Sequence, residues 1–200
     1  MLGAILATTV RLRRDTSGAT AVEFAAIAPA LFMVVLGLMD LSYNIYATTI
    51  LQGAVQKAGR DSTIEGAETR GLAIDNRVRG RVGDIVPNAT IAFDRRAYVD
   101  YSEVGRPEDF TDSNNDGDCN DGEPFEDANN NGLWDEDRGR GDMGSARDAV
   151  LYTVTVSYPR VFPVMKLLGF SPTVTARSRT VLRNQPYGPQ NRTVAVGNCT

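Results

Sequence analysis

The sequence predicts an α+β protein. A long N-terminal transmembrane and stem helix is followed by a small, mainly antiparallel sheet domain that carries an acidic, calcium-type loop. Three observations predict it. Phe24 to Met39 hold no charge; Arg11, Arg13 and Arg14 lie upstream and Asp40 closes the run. Ala149–Tyr158 and Thr173–Leu182 alternate apolar with polar side chains, the period of half-buried strands. Glu108 to Asp137 gathers twelve of the 25 acids with no Lys or Arg among them.

Composition excludes several functions. With no histidine, His-based acid–base catalysis, Ser-His-Asp triads and most zinc sites are ruled out. A net charge of −4 without a basic cluster argues against nucleic acid as a partner. Cys119 and Cys199 form no CxxC pair. Outside the cytoplasm they can join in a disulfide; otherwise they are two thiols, the second on a polar tail.

Residues 1–18 form a leader whose arginines keep this end cytoplasmic by the positive-inside rule. Phe24–Met39 alone spans about 24 Å as a helix, short of the roughly 30 Å hydrocarbon core. Starting the span at Ala19 lengthens it to about 31 Å, enough to cross. Glu23 then lies inside the membrane helix of residues 19–43, where a carboxylate is costly and needs a partner. Cutting after Gly18 would supply one: a new α-amine on Ala19, positively charged near neutral pH and one helical turn from Glu23. In the alternative reading the helix starts at Phe24 and Glu23 sits among the headgroups.

Gly18, Glu23-Phe24, Ala28-Pro29 and Asp40, behind an arginine-rich leader, resemble the processing site and helix of type IV prepilins. More specifically they resemble the TadE/TadF-type pseudopilins of the tight-adherence (Flp) pilus machinery, over roughly residues 11–60. The resemblance implies cleavage by prepilin peptidase between Gly18 and Ala19, with Glu23 at the fifth mature position. It implies partnership with the membrane and with other pilus-assembly or pseudopilin subunits. It also implies a single-pass location in the bacterial inner membrane, N-terminus cytoplasmic and C-terminal domain periplasmic, whether the protein stays there or enters the pilus.

Further along, residues 44–66 read as an amphipathic stem helix, with Tyr43 and Tyr46 at the position of an interfacial aromatic belt and Glu65-Gly66 as a break. Pro29 should kink the membrane helix, and Ala21/Ala25 and Ala26/Ala30 are small-residue pairs that permit close helix approach. Residues 67–107 read as a second amphipathic helix, Thr69–Val86, closed by Pro87, then a hairpin of Ala89–Phe93 and Ala97–Tyr101 turning at Asp94-Arg95-Arg96. Residues 146–185 supply the C-terminal strands. Between them Val161–Phe170 is a short helix or a membrane-proximal turn, and residues 186–200 are a polar tail.

The acidic segment, residues 108–145, holds two loops at calcium spacing. Asp112, Asn114, Asp116, Gly117, Asp118, Asn120 and Glu123 match D-x-[DN]-x-[DN]-G-x5-E. Calcium takes about six to eight hard oxygens: the first, third and fifth residues give side-chain oxygens, the seventh its carbonyl, and the twelfth a bidentate carboxylate. Asp127, Asn129, Asn131, Gly132, Leu133 (by its carbonyl) and Asp135 repeat the pattern. Arg138 falls at the twelfth position there, so Asp137 or Glu136 must close that loop. Cys119 and Trp134 share the eighth position and are placed to pack the two loops together, or Trp134 anchors into the sheet. A solvated acidic linker is the plain alternative.

The sequence therefore points to a non-enzymatic membrane-anchored pseudopilin with calcium as its cofactor. A bitopic calcium-binding or adhesive module without a pilus role is the alternative. A tethered hydrolase is disfavoured, because consecutive loop acids are a poor substitute for two carboxylates facing across a cleft.

Overall fold

The computed structural model describes residues 18–62, 71–145, 147–162, 164–183 and 194–200. The arginine leader, the expected break at Glu65-Gly66 and the first part of the expected polar tail lie outside the described residues. The chain forms two compact units: one holds the N-terminal segment to Tyr43 with Arg160–Pro172, the other Asn44–Pro159 with Thr173–Thr200.

Helix α1, Ala19–Ser62, is continuous through Pro29. It has an 18-residue stretch of mean hydropathy 2.2, long and apolar enough to cross a membrane. That stretch belongs to the first unit, where Val22, Ile27, Phe32 and Val34 are exposed.

In the second unit α1 turns amphipathic. Ala47, Leu51, Val55 and Ala58 recur at helical spacing and are all buried. Helix α2, Gly71–Gly83, buries Ile74, Val78 and Val82 in the same way. Both helices pack on a three-stranded antiparallel sheet of order β1-β3-β4, formed by Thr90–Tyr98, Ala149–Pro159 and Thr173–Arg183. Val150, Tyr152, Val154, Val156 and Tyr158 of β3 are buried, the even-numbered face that its valine alternation predicts. On β4 the matching buried residues are Ala176, Ser178 and Leu182. At Gly59 the stem lies close on the sheet, since a Cβ there would stand 3.1 Å from the Thr180 hydroxyl.

Two expectations are corrected. Thr90–Tyr98 is one unbroken strand, paired from Thr90↔Ser157 to Tyr98↔Ala149, where a hairpin turning at Asp94-Arg95-Arg96 was expected. The charges do not make a turn because alternation separates them: Asp94 faces out, and Arg95 faces in against the buried Asp75. The last residues are not all polar tail. Ala195–Asn198 forms β5, antiparallel to β2, Pro124–Asp127, which rises between the two acidic loops. Phe125 covers Gly197 so closely that a Cβ there would meet the ring at 2.3 Å, which only glycine permits.

In the first unit, a short helix α3, Val164–Leu167, lies within the segment that the sequence left as either helix or turn.

Candidate functional site

Two places carry the residues singled out by the sequence: the start of α1 and the acidic loops. At the first, α1 begins at Ala19, and the Val22 amide donates to the Gly18 carbonyl at 3.1 Å. Glu23 thus lies inside the helix, one turn past Ala19, and the reading in which helix starts only at Phe24 is set aside. Gly18, Ala19 and Glu23 are all exposed.

The acidic loops are built from side chains that fold back on their own backbone. In the first, Asp112 accepts from the amides of Asn115 (2.6 Å) and Gly117 (3.0 Å), Asn114 Oδ1 from Asp116, and Asp116 Oδ1 from Asp118. Asp116 Oδ2 accepts from the side-chain amides of Asn114 and Asn120, each at 2.8 Å. The Asn120 amide foremost, then the Asp118 amide, hold the Asp116 carboxyl below its ordinary value. Glu123 closes the loop on the Ser113 amide at 2.5 Å. It is buried, and its second oxygen, Oε2, has no hydrogen-bond partner among the described residues.

The second loop repeats the geometry. Asp127 accepts from Asn131 (3.0 Å) and Gly132 (2.8 Å), Asn129 Oδ1 from Asn131, and Asn131 Oδ1 from Leu133. Asp135 accepts from the side-chain amides of Asn129 and Asn131. Asn115 and Asn130 at the fourth position, with Gly117 and Gly132 at the sixth, all have positive φ (63°, 59°, 86° and 82°). The two loops share one backbone path, and the sixth position needs glycine for that reason.

They close differently. Asp137, expected to close the second loop, instead accepts from the Tyr98 hydroxyl at 2.9 Å and pairs with Arg96 at 3.3 Å. Burial foremost, then Asp137, push the Tyr98 phenol up to about 12. Glu136 is exposed. Glu108 takes the closing place: Oε1 accepts from Ala128 at 2.8 Å, as Glu123 does from Ser113, and Oε2 accepts from Asp135 at 3.1 Å. Burial raises the Glu108 pKa, against the opposing pull of the Ala128, Asp135 and Asn129 amides. Arg138 brings Glu108 there, since it pairs with Asp109 at 2.6 Å and donates to the Pro107 carbonyl at 3.0 Å. The signal in the sequence was only negative: Arg138 at the twelfth position showed that this residue could not close the loop, and the neighbouring acids Asp137 and Glu136 were expected there in place of Glu108.

Cys119 and Trp134 have different partners. Cys119 is joined by a disulfide to Cys199, Cα–Cα 5.3 Å, while the Trp134 indole donates to the Glu108 carbonyl at 2.9 Å and stands edge-on to Phe110. Among the described residues, no three His, Cys, Asp or Glu side chains gather as a ready metal cluster. In both loops amide oxygens and carbonyls alternate with the carboxylates.

A buried network that the sequence did not flag lies under the sheet. Asp75 accepts from the Tyr152 hydroxyl at 2.7 Å and pairs with Arg95, whose guanidinium stacks 4.7 Å over the Tyr152 ring. All three groups are engaged with one another, so the network fixes how α2 sits on the sheet.

Comparison with known families bears on the helix. Residues 18–60 match the family model of the TadE-like protein. The TadE-like segment starts at the glycine before α1 and runs almost to the end of that helix, leaving the sheet and the acidic loops outside it. No curated protein and no solved structure matches the chain.

Proposed function

We propose that this protein is a non-enzymatic, membrane-anchored pseudopilin-like component of a tight-adherence (Flp) pilus or of its secretion machinery. The observation that carries the reading is the TadE-like match, which opens at Gly18 with Glu23 one turn into a helix long and apolar enough to span a membrane. In this reading prepilin peptidase hydrolyses the Gly18–Ala19 bond, and the freed amine of Ala19 neutralises Glu23 in its own helix or in a neighbour's. The N-terminus is cytoplasmic and the sheet domain periplasmic in the bacterial inner membrane, which suits a chain whose cysteines are joined. Other pilus-assembly subunits are the partners. Mass spectrometry of the membrane-extracted protein tests it: an N-terminus at Ala19 is expected, and an intact leader would overturn the cleavage reading.

Calcium in the first acidic loop belongs to the same proposal. The supporting observation is the buried Glu123 Oε2, which has no hydrogen-bond partner among the described residues, at the position where a bidentate carboxylate would close the shell. Asp112, Asn114, Asp116, the Asp118 carbonyl and Glu123 would hold the ion, with Asn120 at the water-bridged position. In the second loop Asp127, Asn129, Asn131, the Leu133 carbonyl and Asp135 are the matching set. The ion would stiffen the loop and take no part in a reaction.

A further inference from the structure

We propose that Arg160–Pro172 is a second membrane contact: a short excursion between β3 and β4 that inserts into the bilayer interface beside α1, in the leaflet where the apolar run ends. The proposal rests on the reading that α1 spans a membrane. It concerns only the first unit, to which both segments belong.

The base of the excursion marks its depth. Arg160 pairs with Asp40, the acid that ends the apolar run and is itself buried. Arg160 Nε also donates to the Ser171 carbonyl at 2.8 Å, and its backbone amide donates to the Pro172 carbonyl at 2.9 Å. One arginine therefore fastens both ends of the excursion at the level of Asp40. An acid and a base neutralising each other fit the polar edge of a bilayer, where a lone charge is costly.

From that base the excursion runs back along the apolar helix. Met165 Sδ lies 3.9 Å from where a Cβ on Gly37 would stand. Phe162 lines a cleft of about 420 Å³ with Val35, Leu38, Met39, Ser42 and Tyr43. Gly37 is about 4.5 Å along the axis from Asp40, on the lipid side of it. If residues 24–39 lie in lipid, the excursion beside them lies there too.

Its surface and backbone agree with that placement. Val161, Leu167, Leu168 and Phe170 are exposed at 52%, 79%, 54% and 52%, in the same unit as the exposed apolar side chains of α1. A single exposed leucine needs no explanation, but four large apolar side chains exposed on one short segment beside a membrane helix do. The tip also closes part of its own backbone on itself, which lowers the cost of placing it in lipid. Leu168 donates to the Met165 carbonyl at 3.2 Å, Gly169 to Lys166 and Phe170 to Met165, each at 3.1 Å. Gly169, at φ 81°, makes that closure possible. Lys166, the one ammonium on the tip, can reach the headgroups from an interfacial depth.

The test uses the full-length protein in vesicles of phosphatidylethanolamine and phosphatidylglycerol. Because Cys119 and Cys199 are bonded to each other, an introduced thiol takes an environment-sensitive fluorophore alone. Leu167→Cys, Phe32→Cys in the middle of the apolar run, and Leu72→Cys on the sheet domain are compared. The Leu167 probe should emit to the blue, resist aqueous iodide and be quenched by nitroxides near the headgroup. The Phe32 probe should prefer deep nitroxides, and the Leu72 probe should remain open to iodide. A Leu167 probe as open to iodide as the Leu72 probe, with Phe32 still in lipid, overturns the insertion and leaves the spanning helix standing. Iodide access at Phe32 overturns the spanning reading itself.

Discussion

The two acidic loops follow one backbone path and differ in how they are closed. In the first, the closing acid comes from the loop's own twelfth position, and one of its oxygens is buried without a partner. In the second, the closing acid, Glu108, comes from upstream, and both of its oxygens accept backbone amides. The second loop thus pairs both oxygens of its closing carboxylate, whereas the first leaves one of them unpaired among the described residues. The first is fastened instead by a covalent bond from Cys119 to Cys199, and the second by the Trp134 indole and Arg138. Matching consensus spacing therefore does not imply matching chemistry.

The largest test of this contrast is the covalent fastening. Replacing Cys119 and Cys199 together by alanine should cost about 2–4 kcal/mol in denaturant unfolding, because the bond closes a long loop. An unchanged midpoint would show that β2 and β5 hold the first loop without it. Next comes Glu108→Gln, which places an NH₂ against a backbone N–H and should cost about 1–3 kcal/mol without any cation present. Glu123→Gln should cost less in calcium-free buffer, since only one of its oxygens has a partner. If the two variants lose equal stability there, the proposed difference between the loops is wrong.

Calcium gives a smaller effect of opposite selectivity. At about 10 mM, against a dissociation constant of about 10⁻⁴–10⁻³ M, it should stabilise the protein by about 1.4–2.7 kcal/mol. Glu123→Gln should abolish that gain, and Glu108→Gln should leave the first loop's share intact. Identical melting with calcium and with chelator would remove calcium from the account.

The smallest effect lies at alkaline pH. The Tyr98 phenol, which holds Asp137 at the end of the second loop, is pushed up to about 12 from the usual 10.0. A raised folded value means that its contribution is whole below about pH 10 and is lost as pH rises through about 12. Ultraviolet titration should show a tyrosinate forming near pH 12 that Tyr98→Phe removes, distinct from Tyr152, whose phenol burial and Asp75 push higher still. Normal titration of Tyr98 would detach the second loop from that anchor.

How far the sequence could be read depended on whether a signal was local. The valine alternation of β3 and β4 is local, and the structure follows it; the stem was legible as a helix, but of its buried face, Ala47, Leu51, Val55 and Ala58, only Val55 stood out in the sequence. Asp94-Arg95-Arg96 misled because three adjacent charges resemble a turn until Asp75, on another element, accounts for the inward one. Strand β5 was hidden because its four residues, Ala195–Asn198, fall in a stretch that reads as polar tail and its partner β2 lies far upstream. Glu108 escaped for the same reason: closure from outside the loop leaves no spacing to count. The helix through Ala19 and Glu23 was legible because four residues separate them, a single helical turn.

The bond between Cys119 and Cys199 also settles how tension would travel along the chain. It closes a covalent ring over a separation of 80 residues, and β3, the Arg160–Pro172 excursion and β4 all lie inside that ring. A pull between the anchoring helix and Thr200 passes from Cys119 straight to Cys199 and bypasses everything between them. The four residues of β5 then carry no load, and the two long strands are stretched only if the ring is first reduced. In a molecule held in a membrane at one end and tugged at the other, the sheet's hairpin would be the last part to unravel.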